Sequence, residues 1–120
     1  MKTFVAALIS TCCIAGSAFA ASYPVSGKWG QDPSRDKGAI DCNGKRTINF
    51  VGERRFDSGG GVPDYRAIRI EGRGSNNYQI TEEFRTGQIN GRNSVDLHQI
   101  DADHIELNMR GGSLKLRPCK

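Results

Sequence analysis

Beyond its first twenty residues the chain has no apolar run of the 18 or so residues that a membrane-spanning helix needs. It also has no basic tail. Its 17 Lys and Arg are interspersed with 13 Asp and Glu, which is not the electrostatic footprint of a nucleic-acid binder. Helical periodicity is almost missing, and tryptophan occurs once, at Trp29. Motifs that carry chemistry are lacking too. There is no Gly-x-Ser-x-Gly elbow, no His-Glu-x-x-His helix and no phosphate loop. Gly72-Arg73-Gly74 lacks the following helix of a nucleotide site. Glu82 and Glu83 are neighbours in an alternating stretch, so they face opposite ways and cannot act as a carboxylate pair. The expectation is a protein that is not an enzyme and needs no cofactor.

What is present begins with an address. Lys2 precedes an apolar run from Phe4 to Ile14, and small residues follow, ending in Ala18-Phe19-Ala20. This is the layout of a secretory signal peptide with an A-x-A cleavage site. Residues 1–20 are therefore expected to be a leader for bacterial export, and residues 21–120 a single periplasmic or secreted domain. Removing Lys2 leaves 16 basic side chains against 13 acidic ones, a net charge of +3. Cleavage also discards Cys12 and Cys13, leaving Cys42 and Cys119 in an oxidising compartment. The two are expected to form one disulfide. They lie too far apart in sequence for a zinc-ligand spacing. Closing so long a loop stabilises a fold by about 4–5 kcal/mol in the chain-entropy treatment.

Short alternating runs fill the rest: Arg46–Phe50, Arg66–Ile70, Tyr78–Phe84, Val95–Leu97, Ile105–Met109 and Leu114–Leu116. Turn residues separate them at Asn43-Gly44, Gly72-Arg73-Gly74, Asn90-Gly91 and Gly111-Gly112. Only Gln31–Gly38 and Asp57–Asp64 read as irregular. Register can be tested by parity, because a one-residue slip sends apolar side chains to opposite faces. Turns at Gly111-Gly112 and Asn90-Gly91 set Met109 opposite Leu114 and Phe84 opposite Leu97. An odd loop around Asp101-Ala102-Asp103 pairs Leu97 with Leu107, and the loop around Gly74 pairs Ile70 with Tyr78. Four hairpins agree on one inner face. The fold class is all-β, an antiparallel up-and-down meander. The strand at Trp29 and the Cys42–Cys119 link are the means of closing it into a small barrel.

The same register sets Arg66 opposite Glu82 and Glu82 opposite Gln99, one polar row across the inner face. Such a row is either a cross-strand salt bridge near the barrel mouth or the lining of a pocket for a small or anionic group. His98 falls opposite Glu106 and His104 opposite Ile100 on the outer face. That makes His98, His104 and Glu106 weak metal candidates beside the reading as solvated surface residues.

Gly27-Lys28-Trp29, opening a strand in an exported barrel-like chain, resembles the G-x-W start of the calycins, the group that includes the lipocalins. The resemblance implies an arginine on the last strand packed over the tryptophan, and Arg117 is the residue so placed. In size the chain is closer to bacterial periplasmic inhibitors with calycin-like barrels, such as those of secreted metalloproteases. Their disulfide closes a short loop, whereas Cys42 pairs with Cys119. Cys42-Asn43-Gly44-Lys45 with Cys119-Lys120 is similar in outline to the periplasmic inhibitors of c-type lysozyme. These features imply a binding protein for an envelope or extracellular protein or small ligand. The alternatives are an inhibitor of a protease or lysozyme, and an envelope stress or structural protein without a dedicated pocket. The barrel's filling discriminates them: an open cavity favours a small ligand, a filled core a macromolecular partner.

Overall fold

The computed structural model describes residues 21–120, so the expected leader lies outside the described residues. Eight antiparallel strands run in chain order around a closed barrel. They are β1 (Gly27–Gln31), β2 (Thr47–Val51), β3 (Arg54–Asp57), β4 (Asp64–Gly72), β5 (Asn77–Thr86), β6 (Ile89–Asp101), β7 (His104–Met109) and β8 (Gly112–Pro118). There is no helix among the described residues. Closure comes from β1 pairing with β8, with Trp29 opposite Pro118 and Gln31 opposite Leu116. Full closure leaves no edge strand along that seam.

The inward positions of alternating strands meet at the barrel axis. Ile48, Ile80, Leu97 and Leu107 have no exposed surface, and Phe50, Val95, Ile105 and Leu116 have almost none. Trp29 lies in this core, its indole N–H donating to the Ser26 carbonyl at 3.0 Å. The segment before β1 closes the lower end. Tyr23 donates its backbone N–H to Gly52 O, and the side chains of Tyr23 and Val25 join the core.

Outside the seam, residues 32–42 form a strap. Asp32 N–H donates to Lys115 O and Ile40 N–H to Pro118 O, while Cys42 is bonded to Cys119 with Cα atoms 5.6 Å apart. Gly30 lies directly beneath. A Cβ there would come within 2.4 Å of Cys42 Sγ, so only glycine lets the strap lie against β1.

Registers differ from expectation by even steps in three hairpins. The β5–β6 turn is Gly87-Gln88, which sets Phe84 opposite Gly91 and Tyr78 opposite Leu97. Gly87, at φ +58°, supplies the left-handed first turn position, and the Phe84 ring covers Gly91 in place of a cross-strand side chain. The β7–β8 turn is Arg110-Gly111, with Leu107 opposite Leu114 and Met109 opposite Gly112. In β4–β5, Ile70 faces Ile80 and Gly72 faces Tyr78. Leu97 opposite Leu107 and His98 opposite Glu106 stand as expected in β6–β7.

Two bulges change parity as well. One lies between Ala67 and Arg69, so Ala67 faces Glu82 and Arg66 faces Glu83. The extra residue turns Arg66 to the outside of the barrel and removes it from the expected inner row. The other lies between Gln99 and Asp101. It pairs Asp101 with His104, so His104 is not opposite Ile100.

Candidate functional site

The partner that the barrel supplies to Glu82 is Arg55. A two-residue connection, Gly52-Glu53, folds β3 back on β2 and sets Arg55 opposite Phe50, facing inward. Arg55 is 1% exposed and Glu82 is fully buried. The guanidinium grips the carboxylate in a fork, Nε to Oε2 at 2.7 Å and Nη2 to Oε1 at 2.8 Å. Tyr23 donates its hydroxyl to Glu82 Oε2 at 2.5 Å. A charge pair in a barrel core is tolerated only when geometry and further hydrogen bonds offset its desolvation. Here both carboxylate oxygens are satisfied.

The charges continue outward to the upper end. Arg55 Nη1 stands 3.7 Å from Asp57 Oδ2, and Asp57 is held by Arg46 at 3.0 and 2.7 Å and by the Gly59 N–H at 2.8 Å. Burial raises the Tyr23 phenol's pKa, and the neighbouring Glu82 charge raises it further. Burial opposes the Arg55 charge, but the hydrogen bonds and charge of Glu82 outweigh it, and the guanidinium holds its proton more firmly than usual. Burial likewise pushes Asp57 upward. The bonds from Arg46 and Gly59 outweigh this and hold it below the ordinary carboxylate range.

Arg55 also lies under the Tyr65 ring, its Cζ 4.0 Å from the centroid, and Tyr65 meets Phe84 edge-on with centroids 5.7 Å apart. The buried ion pair therefore underpins an aromatic floor at the upper rim. Above that floor β4 and β5 separate. Their pairing ends at Arg66–Glu83, and β6 pairs with β7 only from Asp96 onward, so the β5–β6 hairpin overhangs the barrel. The gap is a cleft of about 720 Å³ between Asp64–Arg66 and the hairpin residues Glu83–Arg92. Its lining includes Arg54, Arg66, Arg85 and Arg92 against Asp64 and Glu83, four positive charges to two negative.

The arginines are not equivalent. Arg54 Nη2 bonds Asp64 Oδ2 at 2.6 Å, and Arg66 reaches Glu53 at 2.9 Å and Glu83 at 3.1 Å. Arg85 Nε donates to Asn90 Oδ1 at 2.8 Å. Neither Arg85 nor Arg92 has a carboxylate partner among the described residues. Asp64 Oδ1 is enclosed and receives no hydrogen bond.

The other expected site residues lie apart from this cleft. Glu82 faces Asn93 on β6, whereas Gln99 is opposite Ile105 near the lower end, so the expected row of Arg66, Glu82 and Gln99 is not assembled. Arg117 is buried, and its Nη2 donates to the Lys37 and Gly38 carbonyls at 2.9 Å, which fastens the strap to β8. His104 Nδ1 is 2.7 Å from Asp101 Oδ1. Among the described residues no three His, Cys, Asp or Glu are grouped to hold a metal, and no helix is long and apolar enough to cross a membrane. No protein-family profile, curated protein or solved structure matches this chain.

Proposed function

We propose that this protein is a non-enzymatic binding protein of an oxidising, extracytoplasmic compartment, and that its partner docks in the cleft under the β5–β6 overhang. The observation that carries the reading is a net-positive cleft on an aromatic floor, beside a barrel interior filled by its own side chains. A filled core leaves the rim and the outer faces as binding surfaces. The disulfide supports the compartment. An eight-stranded antiparallel barrel opening on Gly27-Lys28-Trp29 supports kinship with the calycins.

One observation favours the inhibitor reading. Ile89, at the tip of the overhanging hairpin, is 64% exposed, and a protruding apolar tip is suited to entering a groove. Affinity capture from an envelope extract separates the two readings, with wild type, Arg85→Ala/Arg92→Ala and Ile89→Asp as baits. Loss of a captured species with the arginine double variant, at unchanged thermal unfolding, is the expected result. Loss with Ile89→Asp alone favours the inhibitor. Identical capture by all three overturns the cleft as the binding site.

A further inference from the structure

The β5–β6 hairpin has a second flank, facing away from the cleft. Strand β6 pairs with β5 from Ile89 onward, but β7 joins it only at Asp96, so residues 89–95 have a neighbouring strand on one side alone. The Gln99 N–H donates to the Asn76 carbonyl, and alternation along β6 then turns the odd-numbered residues toward β5 and the even-numbered ones away from it. The backbone N–H and C=O of Asn90, Arg92 and Ser94 point out of this edge, and none makes a backbone bond among the described residues. Such an edge is a template for another extended chain, and folded proteins ordinarily blunt it with proline, a bulge or a covering segment. Residues 89–95 contain no proline, and their ladder with β5 has no bulge. Strand β4 provides the contrast, since it outlasts β3 beyond Arg66. There a bulge between Ala67 and Arg69 bends the edge, and the Ala21 N–H takes the Ala67 carbonyl.

The side chains around the edge decide what kind of chain it takes. Arg92 lies in the middle of it, on the outer face. Arg85 reaches across from β5 to donate to Asn90 Oδ1 at 2.8 Å, and Arg110 occupies the β7–β8 turn, where the line of β7 stops. None of the three has a carboxylate partner among the described residues. Glu83, opposite Arg92, is bonded by Arg66 at 3.1 Å, and Asp96 lies about 13 Å further along the strand. A second copy of this chain is a poor occupant, because two-fold pairing of β6 with β6 crowds the arginines of both copies into one short stretch. On the alternate face Ile89 is 64% exposed, and the Phe84 ring lies over Gly91. We propose that the edge of β6 at residues 89–95 takes up an extended acidic segment of a partner protein as an added antiparallel strand, in the line that β7 leaves. Its carboxylates meet Arg92, Arg85 and Arg110 on the outer face, and its alternate apolar side chains lie beside Ile89. This edge is on the flank opposite the cleft, so its role does not depend on what the cleft binds.

The test is fluorescence-anisotropy titration of the oxidised protein with labelled acetyl-Glu-Val-Glu-Val-Glu-Val-amide. Residues directly opposite one another share a face, so the glutamates that meet Arg92 are also the residues whose N–H groups face β6. Two comparison peptides follow, one with lysine in place of glutamate and one with N-methylated glutamates. The acidic peptide is expected to bind at least about tenfold more tightly than either, as loss of a charge contact or of backbone hydrogen bonds implies. Methylating the valines instead should leave binding unchanged, because their N–H groups face away from β6. Arg92→Ala removes the charge and keeps the edge N–H, whereas Arg92→Pro removes both without breaking a bond to β5. The expected losses are about tenfold for the first and about a further tenfold for the second. In the unsubstituted protein the peptide should slow amide exchange at Asn90 and Arg92 and leave Gly91 and Asn93, already bonded to β5, as they were. No binding of the acidic peptide, equal binding of the lysine or N-methylated-glutamate peptide, or no slowing at Asn90 and Arg92 overturns the proposal. A dimer of the protein alone that Arg92→Pro dissolves overturns it too, since the edge then belongs to a second copy.

Discussion

At the scale of single residues the barrel depends on a charge pair that its own core would reject if either member stood alone. Glu82→Gln strands the Arg55 guanidinium in a site of 1% exposure, and the expected cost is about 3–5 kcal/mol by urea unfolding. Replacing both, as Arg55→Met/Glu82→Leu, should recover most of that loss, because two apolar side chains need no partner. Additive losses in this cycle would show that the two groups do not depend on each other. Arg66 provides the contrast. Its bonds to Glu53 and Glu83 are more than a third exposed, so Arg66→Ala should cost about 1 kcal/mol or less and show no coupling to Glu82. Asp57 carries a pH dependence whose sign follows from its lowered pKa. A depressed folded-state value means that its contribution is complete above the unfolded value of about 3.9 and disappears as pH falls through the folded value. Asp57→Asn should therefore lower stability at neutral pH and flatten the acid limb of a stability–pH curve. An unchanged acid limb would rule Asp57 out as its source.

At the scale of elements, the apolar faces were legible in the sequence, whereas among the four hairpin registers read from it only that of β6–β7 was. Alternation assigns Ile80, Val95, Leu97, Leu107, Leu114 and Leu116 to the interior, where each is 5% exposed or less. An even slip leaves every face as it was, so parity could not distinguish Phe84 opposite Leu97 from Phe84 opposite Gly91. The turn depended on which glycine took the left-handed position, and Gly87 competes with Asn90-Gly91 on equal local terms. Bulges are harder still. The run Arg66-Ala67-Ile68-Arg69-Ile70 alternates cleanly, and nothing local marks Ile68 as the extra residue that reverses Arg66. Strand β3 was hidden because Arg54-Arg55-Phe56-Asp57 inverts the usual pattern. Its apolar Phe56 points out at 39% exposure and its charged Arg55 and Asp57 point in. The cleft was illegible for the same reason, since it exists only where those registers leave the β5–β6 hairpin longer than its neighbours.

At the scale of the whole molecule the seam between first and last strands is where closure is decided. Strands β5 and β6 share ten paired positions, whereas β1 and β8 share three. The seam is supported instead from outside, by the strap, by Arg117 holding the Lys37 and Gly38 carbonyls, and by the Cys42–Cys119 bond. With the cysteines 77 positions apart in sequence, reduction should destabilise the domain by about 4–5 kcal/mol in the chain-entropy treatment, a large share of an ordinary net stability of about 5–15 kcal/mol. The loss should also be uneven. Amide hydrogen exchange of the reduced protein, under conditions where it remains folded, should rise first in Trp29–Gln31 and at Leu116 and Arg117, and last in the β5–β6 ladder. Trp29 should report the same opening as a red shift in its fluorescence, because it leaves a 6% exposed site for water. If reduction instead speeds exchange evenly across all eight strands, the bond acts only on the unfolded chain, and the seam is held by its strand pairing and strap alone.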